Sequence, residues 1–439
     1  MLLLVAAILM TVCFAVGLHV ATALGLIGVT MMHVFSDRPL LDMLGQIAWN
    51  TNSNFVLVAV PLFVMMGEVL LYGKISERLY EVLSHWLAPI RGGLLHSNIA
   101  FSAVFGAISG SSAASAATVG AVSLPTFLAR GYSERWVVGS LAAGGTLDIL
   151  IPPSISMVIY GVLAEESIGR LYLAGFIPGF LLSGVFMLII YLAARIWPGI
   201  APREAAPSWG VRLLGLLSLF PVVILMFLVL GTIYLGVATP TEAAAFGVVG
   251  AFALAALNGQ INKQMLQDVL LTTVRTSSMI MLIVTSAFLL SFALSILGIP
   301  AQMAAWISSL QLTPVTFVII LVVFYLILGT FMEALSMMVT TVPILVPVLR
   351  SMGIDLVWFG IIMVILLEAA LVSPPEGLNL YVIHGIRKSV QEEAGLQAGT
   401  MVDLWLGVLP FMIGMALVIA LIIEFPQIAL WLPDLVKGK

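Results

Sequence analysis

Apolar runs separated by small, polar or proline-rich punctuation fill most of the chain, and their lengths predict membrane crossings rather than the core of a soluble fold. Such runs occupy 2–34, 53–72, 133–163, 171–197, 213–232, 240–258, 268–297 and 403–425. Between them, "KISERLYEVLSHWL" (74–87) and "PAQMAAWISSLQL" (300–312) have the spacing of interfacial helices. Two further runs, 94–128 and 313–350, fold around small-residue centres. At roughly 1.5 Å per residue, each half of such a run covers only about two-thirds of the hydrocarbon core, which predicts a re-entrant hairpin. One long tilted helix is the alternative, but Gly106, Gly110 and the nearby serines, like Gly329, Thr330 and Glu333, make poor helix centres. The run 133–163 and one further run, 356–384, are interrupted by "IPPS" (151–154) and "SPPE" (373–376).

The punctuation repeats. Pro125 and Pro347, Gly131 and Gly353, Trp136 and Trp358, and the two Pro-Pro pairs all recur at an offset of 222, while Gly73 with Gly298 and Pro89 with Pro314 recur at 225. This order predicts an internal duplication: a first repeat over 1–197, a linker over 198–212, and a second repeat over 213–439. Two unrelated halves sharing membrane composition are the alternative. Five crossings lie between the hairpins, and an odd number puts the hairpins on opposite faces, so the repeats are inverted. Of the seventeen basic residues, only Arg38, Arg170, Arg350, Lys437 and Lys439 lie on the face opposite to the opening of the first hairpin. That bias orients the first hairpin toward the cytoplasm and the second toward the outside. The repeat also suggests that 2–34 is two short crossings broken near Gly17, with both termini outside. Without a basic n-region or a convincing cleavage site, this segment is expected to be retained as membrane structure.

Composition sharpens the class. With 439 residues, 62% hydrophobic, 9% charged and a mean hydropathy of +1.18, the chain is an all-α integral membrane protein. The formal charge of -4 offers no basic surface for nucleic acid, and no phosphate-cradling G-x-x-x-x-G-K-[ST] is present. The lone Cys13 cannot form an intramolecular disulfide, and no Cys/His cluster has metal-ligand spacing.

The breaks carry the chemistry. Irregular backbone at membrane depth survives only where protein or a polar cavity satisfies it, and a Pro-Pro pair removes donors and frees carbonyls one turn back. Freed carbonyls facing hydroxyls suit a small hard cation such as Na⁺, and the half-helix N-termini present positive dipole ends to an anion. Facing walls come from "SGSSAAS" (109–115) with "GTLDILIPPSIS" (145–156), and from "GTFMEALS" (329–336) with "EAALVSPPEGLN" (368–379). Small-residue packing is the competing reading of the first tip. Intramembrane carboxylates default to functional hypotheses. Asp148, Glu333, Glu368 and Glu376, at a tip or flanking the breaks, are candidates for cation coordination or proton coupling. Glu68 and Glu242 read equally as an interfacial anchor and a helix-capping residue, and Glu424 as a helix-end group reaching headgroup water. His96 and His384 read as packed or interfacial, and Trp86, Trp306, Trp358 and Trp431 as interface anchors. No arginine or lysine lies in the tips or breaks, so an anion would be held by dipoles, amides, bound cations or residues placed elsewhere.

The ordered motifs "SGSSAASAATVGAVSLP", "GTLDILIPPSISMVIYG", "GVATPTEAAAFGVV", "GTFMEALSMMVTTVPILVP" and "SPPEGLNLYVIHG" resemble the large membrane (M) subunit of tripartite ATP-independent periplasmic (TRAP) transporters, within the ion transporter superfamily. The resemblance runs over nearly the whole chain. It implies a secondary transporter of the bacterial inner membrane that imports an organic acid, such as a C4-dicarboxylate, sialic acid or a keto acid, by Na⁺ symport. It further implies an elevator mechanism with scaffold and transport domains, a periplasmic binding protein that delivers substrate, and a small four-helix Q subunit, expected here as a separate chain. Carried onto this chain, one Na⁺ site would comprise Ser109, Gly110, Ser111, Ser112, Ser115, Thr146, Pro152 and Ser154. The other would comprise Gly329, Thr330, Glu333, Ser336, Ser373, Pro374 and Glu376. Ser112, Ser154, Ser156, Ser336 and Asn379 would bind substrate between the tips, and Asp148, Glu333 and Glu368 are possible coupling carboxylates. Three rivals are a stand-alone carrier of the same superfamily, a passive channel and an intramembrane enzyme. The last lacks any Ser/His dyad, H-E-x-x-H or paired-aspartate motif in a suitable context.

Overall fold

The computed structural model describes every residue except 1, 37–38, 110–111, 203, 205–206, 397–398 and 438–439. Among the described residues the regular structure is helical throughout. The first apolar run divides into α1 (Leu2–Ala15) and α2 (Val20–Phe35). Gly17, at φ +76°, stands between them in the left-handed region that only glycine enters readily. α3 (Leu44–Asn52) follows, then α4 (Ala59–Tyr72) and the amphipathic α5 (Ile75–Leu87). The first small-residue run becomes α6 (Leu94–Ser109) and α7 (Ser112–Arg130), which pack against each other. At ~1.5 Å per residue neither α6 nor the half-helices α8 (Glu134–Gly144) and α9 (Ile155–Ala164) reaches across a hydrocarbon core of about 30 Å. The long α10 (Ile168–Ile196) closes the first half.

The second half repeats this order. It contains α11 (Trp209–Tyr234), α12 (Pro240–Leu257), α13 (Lys263–Ile296) and the short α14 (Ile299–Ser309). The pair α15 (Pro314–Leu328) and α16 (Ala334–Ser351) comes next, then the interrupted α17 (Leu356–Val372) and α18 (Leu378–Glu393), α19 (Met401–Glu424) and a terminal α20 (Gln427–Lys437). Among the described residues seven helices are long and apolar enough to cross a membrane, or eight if α14 and α15, bent by 119°, form one span. Gly131 and Gly353 both sit at φ +70° after α7 and α16. That conformation explains why these two glycines recur at equivalent positions.

Helices of the two halves pack reciprocally: α2 on α13 and α4 on α12, α7 on α18 and α16 on α9, α8 on α19 and α17 on α10. Glycine permits the closest of these approaches, since a Cβ on Gly139 of α8 would stand 2.2 Å from the carbonyl oxygen of Gly407 in α19.

Within the expected linker, the Ile200 carbonyl accepts the Ser133 amide at 2.9 Å, and Glu204 is held by Arg130 and the Tyr132 hydroxyl. Two features depart from the sequence reading. α3 and α20 form where no element was expected, because at 9 and 11 residues neither is long enough to register as a crossing. Trp358 is no interface anchor. Every residue of α17 is buried, so its indole N–H donates inward to the Ile422 carbonyl at 2.9 Å. Trp306 and Trp431 remain exposed, and Trp86 meets Trp209 edge to face beside Arg212.

Candidate functional site

Both Pro-Pro segments interrupt their helices, and both Pro152–Pro153 and Pro374–Pro375 peptide bonds are cis. Side chains satisfy part of the freed backbone. At the first break, Thr146 Oγ1 donates to the Ala143 carbonyl at 2.8 Å, and Ser154 caps α9 by accepting the Met157 amide at 3.4 Å. At the second, the Gly377 amide donates to the Ser373 carbonyl at 2.9 Å.

A glycine presses each tip onto its break. A Cβ on Gly106 would stand 2.3 Å from the Cβ of Asp148, and one on Gly329 would stand 2.7 Å from the Cβ of Ala370, the residue equivalent to Asp148 at the 222 offset. The first tip is fastened further by Ser112, the first residue of α7. Its hydroxyl donates to the Gly145 carbonyl at 2.6 Å and accepts from Asn379 Nδ2 at 2.8 Å, and the same Nδ2 reaches the Ala142 carbonyl at 3.3 Å. One hydroxyl therefore joins the first tip, the first break and the start of α18. Ser115 is buried and approaches Asp148. Pro152 is also buried, while Gly110 and Ser111 lie outside the described residues, and of Ser109 only its place at the end of α6 is described.

At the second tip Glu333 caps α16. Its carboxylate accepts the Leu335 and Ser336 amides at 3.0 Å each and the Ser336 hydroxyl at 2.9 Å. Thr330 donates to the Ile327 carbonyl at 2.7 Å. Ser373 is buried, Pro374 is half-buried, and Glu376 is exposed.

A cavity of about 170 Å³ joins the two tips. Its walls include Ser112 opening α7, Ile155 and Ser156 opening α9, Ala334 and Leu335 opening α16, and Leu378 opening α18. Four half-helix N-termini thus converge on one space, each the positive end of a helix dipole, with α9 capped by Ser154 and α16 by Glu333. Among the described residues Glu333 is the one ionisable group in the lining, and no lysine or arginine stands there. Of the five predicted substrate residues, Ser112 and Ser156 line the cavity, whereas Ser154, Ser336 and Asn379 are buried outside its lining. The opposite wall was not foreseen: Val64 of α4 with Thr276, Met279 and Ile280 of α13. The hydroxyl-rich "TTVRTSS" (272–278), set in the apolar α13, was the available signal.

Other candidates have structural duties. Glu242 forms a capping box with Thr239, His96 Nε2 lies 2.8 Å from the Arg91 carbonyl oxygen, and Glu424 is exposed. Glu68 is buried on α4. Among the described residues no group of three or more His, Cys, Asp or Glu side chains is placed to hold a metal. The tip residues offer oxygen donors, including Asn379 Oδ1, which is buried without a partner on the side chain bonded to Ser112. That donor set fits a hard cation such as Na⁺.

A cavity closed by half-helix ends on one side and by helices long and apolar enough to cross a membrane on the other is the arrangement of a membrane transport protein. The fold is shared with solved transporters. The YdaH transporter of Alcanivorax borkumensis superimposes with a TM-score of 0.61 at 16% identity, covering 88% of each chain. Neisseria gonorrhoeae MtrF, described as illuminating a class of antimetabolite efflux pumps, gives 0.52 at 13% identity over 88% of this chain and 83% of that one. Residues 7–428 match the family described as "Tripartite ATP-independent periplasmic transporter, DctM component", and the chain belongs to that family. The C4-dicarboxylate TRAP transporter large permease protein DctM of Pseudomonas aeruginosa is 33% identical over 94% of both chains. The sialic acid TRAP transporter large permease protein SiaM of Vibrio cholerae is 32% identical over 90% of this chain and 89% of its own. The isethionate TRAP transporter permease protein DctMQ of Oleidesulfovibrio alaskensis is 32% identical over 90% of this chain and 62% of its own. These relatives are transport permeases, and the protein is a multi-pass inner-membrane member of a system that includes a small membrane subunit and a periplasmic binding protein.

Proposed function

We propose that this chain is the large permease of a binding-protein-dependent secondary transporter that imports an organic acid, a C4-dicarboxylate or sugar acid, by Na⁺ symport. The convergence of four helix N-termini on a cavity without lysine or arginine carries this reading. Oriented amides bind a carboxylate without a fixed counter-charge, and they release it more readily than a buried salt bridge would. Glu333 spends its carboxylate on the α16 amides, which leaves the N-termini of α7, α9 and α18 to face the anion. Ser112, Ser115, Thr146 and Ser154 would hold one Na⁺ with the backbone of 109–111 and Pro152, and Gly329, Thr330, Ser336, Ser373 and Pro374 the other. Bound Na⁺ adds positive charge beside the substrate carboxylate.

The proposed motion is that of an elevator. α2, α4, α12 and α13 pack together, and α4 and α13 supply one cavity wall, while α7, α9, α16 and α18 supply the other. Sliding the second group past the first would carry the cavity across the membrane. The reciprocal packing of the two halves supports a first repeat over 1–197 and an inverted second over 213–439. Hairpins 94–128 and 313–350 are proposed to open to the cytoplasm and periplasm, an orientation that rests on the bias of basic residues along the chain. The partners proposed for the chain are a small membrane subunit and a periplasmic binding protein.

Two outcomes follow. Ser156→Asp puts a fixed anion at the α9 N-terminus inside the cavity, so the KM for a carboxylate should rise severalfold, while Ser156→Asn leaves it near wild type. Equal KM values in transport assays on both variants would remove the cavity as the anion site. Ala129 and Ser351 are exposed, 222 residues apart, at the ends of α7 and α16. Single cysteines there are expected to react with an impermeant maleimide from opposite faces of oriented vesicles, and reaction from one face would end the inverted-repeat reading.

A further inference from the structure

A cavity of about 370 Å³ opens at the end of α10, on the face where the basic residues concentrate. It lies between the turn from α5 to α6, the last turn of α10 and the linker, and its volume falls in the range of about 300–1,000 Å³ usual for small-molecule sites. The charged residues of its described lining are Arg91, Arg195 and Glu204. Glu204 is already engaged, since its carboxylate pairs with Arg130 and accepts the Tyr132 hydroxyl at 2.8 Å. Arg91 and Arg195 are exposed, and among the described residues neither guanidinium forms an ion pair. The cavity is therefore positive, and its two cations are free to meet an anion. Its wall is held in place from behind. Gly92, at φ +107°, brings the turn so close to α10 that a Cβ would stand 2.6 Å from Cγ2 of Ile190, and the Arg91 carbonyl oxygen lies 2.8 Å from His96 Nε2.

An apolar row leads away from this cavity. On α10, Phe180, Gly184, Leu188, Leu192 and Ile196 recur every four residues, and all five are exposed. Gly184 notches the row, since no atom lies within 4 Å of where its Cβ would stand. Rows of this spacing run at about 26° to the helix axis, and at ~1.5 Å per residue this one spans about 24 Å. Arg195 shares a side of the helix with Leu188 and Leu192, seven and three residues before it, and the exposed Trp197 marks the boundary with water. We propose that the row and the cavity together bind an anionic phospholipid, its acyl chain along α10 and its phosphate between Arg91 and Arg195. Charge complementarity selects this occupant. A free phosphate would leave the apolar row unused, and a zwitterionic head group would bring its own cation against the arginines. The bound head group ties the turn that enters the first hairpin to the linker between the two halves.

Native mass spectrometry tests the site without any transport substrate. The full chain is purified in detergent with its small subunit and supplied with phosphatidylglycerol or phosphatidylcholine. One phosphatidylglycerol is expected to stay bound under activation that strips phosphatidylcholine. Arg91→Gln and Arg195→Gln should each weaken its retention roughly fivefold, and the pair about thirtyfold. Leu192→Asn, on the row, should weaken it as well. The charge-conserving Arg91→Lys with Arg195→Lys should keep most of it, and Lys263→Gln, an exposed residue elsewhere on the basic face, should leave it unchanged. Equal retention of the two lipids, or full retention in the double glutamine variant, would overturn the proposal. Displacement of the lipid by excess inorganic phosphate would overturn it by making the cavity a free-anion site. Retention by the chain alone that is lost with the small subunit present would overturn it by making the row a protein interface. Sodium-coupled uptake plays no part in this readout, so the transport reading and the lipid site fail separately.

Discussion

Gly329→Ala is expected to reduce uptake by about tenfold to a hundredfold, with the protein still eluting as a monodisperse complex. The new Cβ would stand 2.7 Å from the Cβ and 3.1 Å from the Cα of Ala370, so backbone must move. Overpacking of this kind costs about 1–3 kcal/mol, and it is charged here against the seating of the second tip on its break. Ala370→Gly removes the nearer clash, so the double variant should recover part of the lost uptake. A Gly329→Ala protein with wild-type uptake would show that the tip need not seat on the break. Failure of Ala370→Gly to rescue would place the defect elsewhere in the tip.

Asn379→Leu should cost uptake about tenfold. The side chain is fully buried, and its amide donates both to Ser112 and to the Ala142 carbonyl, across the two halves of the molecule. Leucine conserves volume but leaves the half-buried Ser112 hydroxyl and the buried Ala142 carbonyl short of a donor, a loss of about 1–3 kcal/mol. Because the lost bonds hold the first tip, the defect should appear as a raised sodium requirement in transport assays, with little change in thermal stability. A drop in thermal stability matching the drop in uptake would make Asn379 a packing residue alone.

The helix breaks and the turns at the tips were legible because each depends on residues with local conformational consequences. Pro-Pro ends a helix wherever it stands, and Gly131 and Gly353 recur because their backbone is left-handed. Hydrophobicity placed the long crossings within a few residues, since lipid imposes length on a helix. Packing between distant helices was hidden from the same signals. Nothing local marks α17 as buried on all sides, so Trp358 reads as an interfacial tryptophan when it is a core residue. Glu333 reads as a coupling carboxylate, and the structure gives it a capping duty that any acidic residue before a half-helix can perform. The meeting of Ser112 with Asn379, and the cavity wall from Val64 and Thr276, required knowing which elements face each other. The convergence of four helix N-termini was anticipated only as separate half-helix ends.

The most direct measurement is uptake into proteoliposomes holding this chain with its small subunit. The binding protein and a radiolabelled C4-dicarboxylate or sugar acid are supplied outside, and an inward Na⁺ gradient is imposed. The account predicts accumulation above the outside concentration that requires both Na⁺ and the binding protein and is lost when K⁺ replaces Na⁺. Accumulation without the binding protein, or an uptake indifferent to the Na⁺ gradient, would contradict it.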